Sequence, residues 1–259
     1  MNKIKYLKKQ ILTTAFISKE GHIASSFSAL NMIYVIYDKI LDINLKNYKD
    51  PNSNVFILSK AHASLGLYVV LVDKKFFDIL KLDSFCHFNS YLSGHPNNKI
   101  PGVIANTGSL GHGFCISAGI ALGKRIQNNY GNVYCLIGDQ ETLEGTTYET
   151  ASLASNYNLN NLYVIIDHND SSPINIDCLE NKFYHFGFHV ESIAGHNHYD
   201  IKNALSVKSD KPVCIVSHTI KGYGIKRMEN NPNEWHHKSP SLEEYLEMIG
   251  ELDNAPTII

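Results

Sequence analysis

Several features that would place a protein in a familiar class are scarce in this chain of 259 residues. No apolar stretch is long and uninterrupted enough to cross a bilayer as a helix, which takes about 20 such residues, so a membrane-spanning protein is not expected. The basic start Met1-Asn2-Lys3-Ile4-Lys5 is not followed by an apolar segment and a small-residue cleavage site, so no secretory leader is expected. Neither sign of charge is in excess. The 23 Lys+Arg against 25 Asp+Glu give a net charge of −2, which argues against a dedicated nucleic-acid binder. The five cysteines (Cys86, Cys115, Cys135, Cys178, Cys214) are scattered, without a C-x-x-C pair, as expected of reduced thiols in a cytoplasm rather than a zinc site. No G-x-G-x-x-G follows a strand-like segment, so a dinucleotide fold is not indicated. Against these absences stand 44% hydrophobic residues, enough for a sizeable core, and 13 histidines.

The apolar pattern gives the organisation. Residues 1–20 are expected to be a helix with its lysines on the polar side, and Phe27 to Leu41 repeats apolar residues at helical spacing. Val55-Phe56-Ile57-Leu58 is predicted as a buried strand and His62 to Val72 as a helix. Leu92 to Leu110, rich in Gly, Pro and Asn, is predicted to be a long functional loop. Helices are expected at Gly113 to Gln127 and Glu144 to Asn156, with strands at 133–137, 162–166 and 212–216. Strands alternating with helices imply an α/β fold, a mostly parallel sheet with helices on both faces. No linker, repeat or low-complexity segment interrupts it, so a single domain over 1–259 is expected.

In open parallel sheets, ligands sit beyond the carboxyl ends of the strands. Two predicted strands end in Gly138-Asp139-Gln140-Glu141 and in Asp167-His168-Asn169-Asp170. Asp139 and Asn169 are 30 residues apart, about one βαβ unit, so adjacent parallel strands would bring them together. A carboxylate, an amide oxygen and a backbone carbonyl suit a hard cation such as Mg²⁺ that keeps water and phosphate as its other ligands. A helix N-terminus after Gly138 would add partial positive charge for the same phosphates. Taken singly, Asp139 can equally be an N-cap and Asn169 a turn residue.

Gly138-Asp139-Gln140-Glu141-Thr142-Leu143-Glu144-Gly145-Thr146-Thr147-Tyr148-Glu149, with Asn169 following, resembles the diphosphate–metal motif of thiamine-diphosphate enzymes in its transketolase form. Further segments agree in order with that family: Gly21-His22-Ile23-Ala24-Ser25, Phe56 to Ala63, Gly94-His95-Pro96, Thr107 to Gly113, Lys221-Gly222-Tyr223-Gly224 and Trp235-His236. The match runs from about residue 20 to 240, and it resembles only the N-terminal, diphosphate-binding part of a transketolase. The resemblance therefore implies the N-terminal subunit of a split transketolase with a thiamine-diphosphate-binding fold. Its partner would carry the pyrimidine-binding and C-terminal domains, in an α2β2 heterotetramer. Without that partner the chain would turn nothing over.

Carried over residue by residue, the resemblance implies Mg²⁺ (with Ca²⁺ or Mn²⁺ as substitutes) on Asp139, Asn169 and the backbone carbonyl of Ser171. Ser25, His62, Gly108, Leu110, Gln140, Lys221 and His236 would line thiamine diphosphate. Glu144 would be a buried acid near the metal and the partner, and Glu149 a second interface glutamate. His22, His95 and His236 would face the substrate channel. Imidazole titrates near neutrality, so it can take a proton from a donor hydroxyl and return one to an aldehyde acceptor. The substrates implied are a ketose, phosphorylated in most of the family, and an aldose.

Gln140 stands where the family has glycine, which would matter if that position needed a positive φ or close approach to the diphosphate. Ile23, Ala24, Ala61, His112, Asp170 and Ser171 also depart from the pattern, pointing to a specialised member. Two other readings compete: the α-type subunit of a 2-oxo-acid dehydrogenase or acyloin synthase, and a non-catalytic binding or regulatory protein.

Overall fold

The computed structural model describes residues 3–172 and 174–255. Five strands form one all-parallel sheet among them: β1 (Val55–Leu58), β2 (Val133–Gly138), β3 (Leu162–His168), β4 (His189–Ala194) and β5 (Val213–His218). They lie in the order β1-β2-β3-β5-β4. Nine α-helices accompany them among the described residues: α1 (Lys3–Ser18), α2 (Ile23–Val35), α3 (Ser64–Asp73), α4 (His112–Ile126), α5 (Gly145–Asn156), α6 (Leu179–His185), α7 (His198–Leu205), α8 (Lys226–Asn230) and α9 (Leu242–Asn254).

Alternation along the strands divides the interior into two cores. Phe56, Leu58, Tyr134, Leu136, Tyr163 and Ile165 point to one face and pack against α1, α2 and α3. Val55, Ile57, Val133, Cys135, Ile137, Val164 and Ile166 point to the other and meet Phe114, Ala118 and Ala121 of α4 with Ala151 and Ala154 of α5. Each such aliphatic side chain contributes about 1.5–3 kcal/mol by leaving water, and strands apolar on both sides accept helices on both sides.

The four strands expected from apolar runs are present, each within two residues of its expected bounds. β4 is additional: its His189-Val190-Glu191 sequence is that of an edge strand whose side chains are half exposed. No helix or strand falls within the expected loop, Leu92 to Leu110. Two local expectations need correction. Gly138 is followed by a five-residue 3-10 turn, Asp139–Leu143, and the α-helix begins only at Gly145. On α1, Lys8 turns inward and is 5% exposed, so not all its lysines lie on the polar side.

Candidate active site

The carboxyl ends of β1, β3 and β5 meet α2 in one buried network. Lys60, just past β1, places its Nζ 2.6 Å from Asp167 Oδ2 on β3. Ser28 Oγ of α2 donates to the same oxygen at 2.7 Å, and Thr219 Oγ1 beyond β5 donates to Asp167 Oδ1. Burial pushes the Asp167 carboxyl up, but the Lys60 charge and these donors hold it below the usual carboxylate range. Four elements are thereby pinned at the sheet edge where ligands bind in this class of fold.

Above this network the sheet register pairs Gly138 with Asp167, which carries Asp139 to the start of the turn after β3. Asn169 N–H donates to Asp139 Oδ2 at 3.2 Å, and Gln140 N–H donates to Asp139 Oδ1 at 2.8 Å. Asn169 Oδ1 accepts the Ser171 hydroxyl at 2.5 Å and its N–H at 3.3 Å. The structure thus gathers Asp139, Asn169 and Ser171. Among the described residues no three His, Cys, Asp or Glu side chains form a metal cage. One carboxylate, one carboxamide and main-chain oxygen is the donor set of a hard cation that completes its shell with water and phosphate.

Imidazoles form the second half of the site. The His22 ring, preceding α2, lies 5.2 Å from those of His62 and His236, and His62 lies 5.6 Å from His236. Lys221 Nζ is 3.1 Å from His236 Nδ1. Burial lowers His22 to about 3 and His62 to about 2, helped by neighbouring imidazoles, Lys221 and, for His62, Lys60. Burial and Lys60 bring Lys221 down to about 8. Lys221 makes no ion pair with a carboxylate among the described residues. Asp139 and Asp167 oppose the downward shift of Lys221 only in part, and an anionic group would relieve the remainder. The Ser25 hydroxyl on the first turn of α2 is buried without a hydrogen-bond partner among the described residues, an open donor at the same end of the helix. His95 lies against Gly108, where an added Cβ would sit 3.7 Å from its ring, and it is among the neighbouring imidazoles that lower His22. Leu110 is exposed at the end of that loop.

Within this chain alone the fully buried acid of the segment is Glu141 rather than Glu144, which is expected at the partner interface. Glu141, 1% exposed, accepts from Ser59 Oγ (2.6 Å), Gly111 N–H (2.8 Å) and Gly138 N–H (3.0 Å). Glu144 is only half-buried, next to Gly111, and Glu149 is exposed on α5. Glu141 fastens the Thr107-to-Gly113 loop to the β2 turn. Two glycines make that approach possible: a Cβ on Gly111 (φ +78°) would meet Thr146 Oγ1 at 2.5 Å, and one on Gly113 would meet Ser59 at 2.5 Å. Gln140, by contrast, has no positive φ, so the backbone reason for glycine does not apply to it.

Other participants stand outside the residues expected at the site. Lys60 is visible inside the Ser59-Lys60-Ala61-His62 motif, but Ser28 and Asp167 have no pattern to mark them. The His237 ring, following His236, lies tilted 4.5 Å from that of His22, and its Nε2 is 3.2 Å from Glu20.

This donor set, at the carboxyl edge of a parallel sheet, is that of an α/β domain suited to an anionic cofactor accompanied by a hard cation. The family model described as transketolase, thiamine diphosphate binding domain, matches residues 1–247. This chain belongs to that family. An apulose-4-phosphate transketolase subunit from Phocaeicola vulgatus is 32% identical over 255 residues, covering 95% of this chain and 90% of that protein. A 6-deoxy-6-sulfo-D-fructose transketolase subunit from Clostridium sp. is 33% identical over 220 residues, covering 81% and 80%. Transketolase of Homo sapiens is 32% identical over 226 residues, 84% of this chain but 36% of the human protein. The crystal structure of transketolase from Campylobacter jejuni superposes with a TM-score of 0.82 at 28% identity, over 100% of this chain and 43% of that one. The chain thus spans less than half of these longer transketolases and most of the separate subunits. No helix among the described residues is long and apolar enough to cross a membrane.

Proposed function

We propose that this chain is the cofactor-holding N-terminal subunit of a split transketolase. It would transfer a two-carbon ketol unit from a ketose, probed first as a sugar phosphate, to an aldose acceptor. The observation that carries the reading is the meeting of the His22–His62–His236–Lys221 cluster with Asp139 and Asn169 at one end of one sheet. Names of relatives support it: two of them are separate transketolase subunits of nearly this length.

Asp139, Asn169 and the Ser171 carbonyl would hold Mg²⁺, or Ca²⁺ or Mn²⁺ in its place. Ser25, His62, Gly108, Leu110, Gln140, Lys221 and His236 would line the cofactor, with Lys221 and the open Ser25 hydroxyl facing its diphosphate. Thiamine diphosphate, when bound, supplies the carbon nucleophile and the electron sink for breaking a carbon–carbon bond. The protein's own task is proton movement. His22, neutral at physiological pH because burial lowers it to about 3, can accept a hydrogen bond from a substrate hydroxyl, and His95 and His236 flank it.

The remaining chemistry would come from a partner carrying the pyrimidine-binding and C-terminal domains, in an α2β2 heterotetramer. Leu110, Ile116, Leu143 and Leu153 are exposed apolar residues on α4, α5 and the segments leading into them, and the partner would cover them. A cytoplasmic location and a single domain over the whole chain belong to the same proposal; all five cysteines are free thiols.

Calorimetry of thiamine diphosphate with Mg²⁺ on the two-subunit complex, followed by a ketol-transfer assay, tests this reading. Binding and turnover are expected. Absence of binding would favour the non-catalytic reading, and decarboxylation of a 2-oxo acid without ketol transfer would favour the dehydrogenase-type alternative.

A further inference from the structure

His22 stands at the N-cap of α2 without capping it: its side chain bonds no backbone amide there. Among the described residues no hydrogen bond reaches its ring, which meets other rings instead. Those of His62 and His236 lie 5.2 Å away, and that of His237 lies 4.5 Å away, tilted by 41°. An imidazole that is to exchange a hydrogen bond with a ligand keeps a nitrogen free of internal bonds, so its orientation has to come from the walls around it. His237 is the nearest of those walls.

That wall is itself held. Glu20 Oε2 lies 3.2 Å from His237 Nε2, and Gly21, with φ of +122°, turns the chain between Glu20 and His22. Glu20 N–H donates to Ser18 Oγ at 3.2 Å. On the other side, the residues flanking His237 are anchored. Trp235 is fully buried, and Lys238 Nζ lies 4.3 Å from its ring centroid while reaching Glu234 and Glu244 at 2.8 Å each. Ser239 Oγ donates to Ala15 O on α1 at 2.7 Å. Glu20 and His237 therefore latch the turn between α1 and α2 to the segment before α9. Their side chains are 48% and 56% exposed. A carboxylate–imidazole pair so exposed adds little to folding stability, so stability is a weak reason for the latch.

We infer that His237, fixed by Glu20, is a positioning residue that holds the His22 ring in a single orientation within the candidate active site. Its ring fills the space on the solvent side of His22, into which that side chain would otherwise swing and gain rotamers. A carboxylate beside Nε2 also favours the ring proton on that nitrogen, which sets how the His237 ring is turned. His237 stands first, after burial, among the groups that lower His22. The orientation stands on this geometry; its consequence for turnover rests on the proposed function.

NMR of the full chain, labelled at histidine, reads the His22 side chain directly, with His22→Gln to assign its signals. The parent should show three-bond couplings of one χ1 rotamer and Overhauser contacts from the His22 ring to those of His237 and His62. In His237→Ala the couplings should average over rotamers, and the contact to His62 should weaken at least about threefold. His237→Phe, which restores a flat ring, should recover the single rotamer. Glu20→Ala should loosen His237 and, through it, His22, and it carries the test if His237→Ala fails to fold by circular dichroism. Ketol transfer by the two-subunit complex, with xylulose 5-phosphate as donor and ribose 5-phosphate as acceptor, reads the consequence. His237→Ala should lose about tenfold in kcat with KM changed less than about threefold, and His237→Phe should recover most of the loss. Couplings and contacts of His22 unchanged in His237→Ala and Glu20→Ala would overturn the inference. So would a loss of kcat that His237→Phe fails to restore, since the imidazole itself would then meet the substrate. If His22 responds as expected but the parent complex transfers no ketol unit, the positioning stands and the proposed function falls.

Discussion

Lys60 Nζ and Asp167 Oδ2 lie 2.6 Å apart in an ion pair whose side chains are 4% and 0% exposed. The pair sits beneath the candidate cofactor site and ties the ends of β1 and β3 to α2 and to the segment after β5 through Ser28 and Thr219. Removing one partner leaves the other charge buried. Lys60→Met is therefore expected to cost about 3–5 kcal/mol of folding stability, measured by urea denaturation. The double variant Lys60→Met with Asp167→Leu should cost less than the single one, since it leaves no orphaned charge. Asp167 titrates lower in the folded chain, so its contribution is present above its unfolded value and is lost as pH falls through the folded one, at strongly acid pH. A single variant as stable as the parent would mean the pair is not the strut its geometry indicates.

Asp139 is the carboxylate bonded to the Asn169 backbone, and it receives Gln140 N–H as well. Asp139→Ala is expected to abolish metal-dependent binding of thiamine diphosphate to the two-subunit complex. Ser171→Ala, which keeps the main-chain carbonyl, should weaken it less than about tenfold. Calorimetry with and without a chelator measures both. Unchanged affinity in Asp139→Ala would mean the cation is held elsewhere.

What the sequence pattern reveals of the structure divides along physical lines. Apolar runs such as Val133 to Ile137 and Leu162 to Ile166 are legible because a strand buried on both faces must be apolar throughout. β4 is not, because an edge strand carrying His189 and Glu191 has no such requirement. Asp139 and Asn169 can be paired from spacing alone, since one βαβ unit returns the chain to the neighbouring strand end. The identity of the buried acid cannot be read that way. Glu141 and Glu144 are three residues apart, and only the turn geometry after β2 decides that Glu141 enters the interior. Lys8 is hidden for a related reason: a helix shows which face is apolar, but a long lysine can follow that face inward with its ammonium group on an aromatic ring.

His22 and His62 tie the site to acid sensitivity. Their folded-state values lie near 3 and 2, below the ordinary 6.5, because burial disfavours the charged ring. The unfolded chain therefore takes up protons first as pH falls. The stability at stake is present above about 6.5 and is lost as pH drops from there toward 3. Urea denaturation of the ligand-free chain across this window should show stability declining with acidification, and His22→Gln should flatten the slope. An unchanged slope would mean that His22 is as easily protonated in the folded chain as in the unfolded one.

Gln140 stands where the resemblance leads one to expect glycine, and its backbone explains why the substitution is tolerated. Its φ is not positive, and within the 3-10 turn after β2 its N–H is directed to Asp139 Oδ1 at 2.8 Å. Restoring glycine should therefore relieve no strain. Gln140→Gly is expected to cost about 0.5–1 kcal/mol through added freedom of the unfolded chain. It should change the affinity for thiamine diphosphate and Mg²⁺ by less than about threefold, which is under about 1 kcal/mol. Denaturation and calorimetry on the two-subunit complex separate the two effects. A gain of about tenfold or more in cofactor affinity would show instead that the Gln140 side chain, rather than its backbone, obstructs the diphosphate.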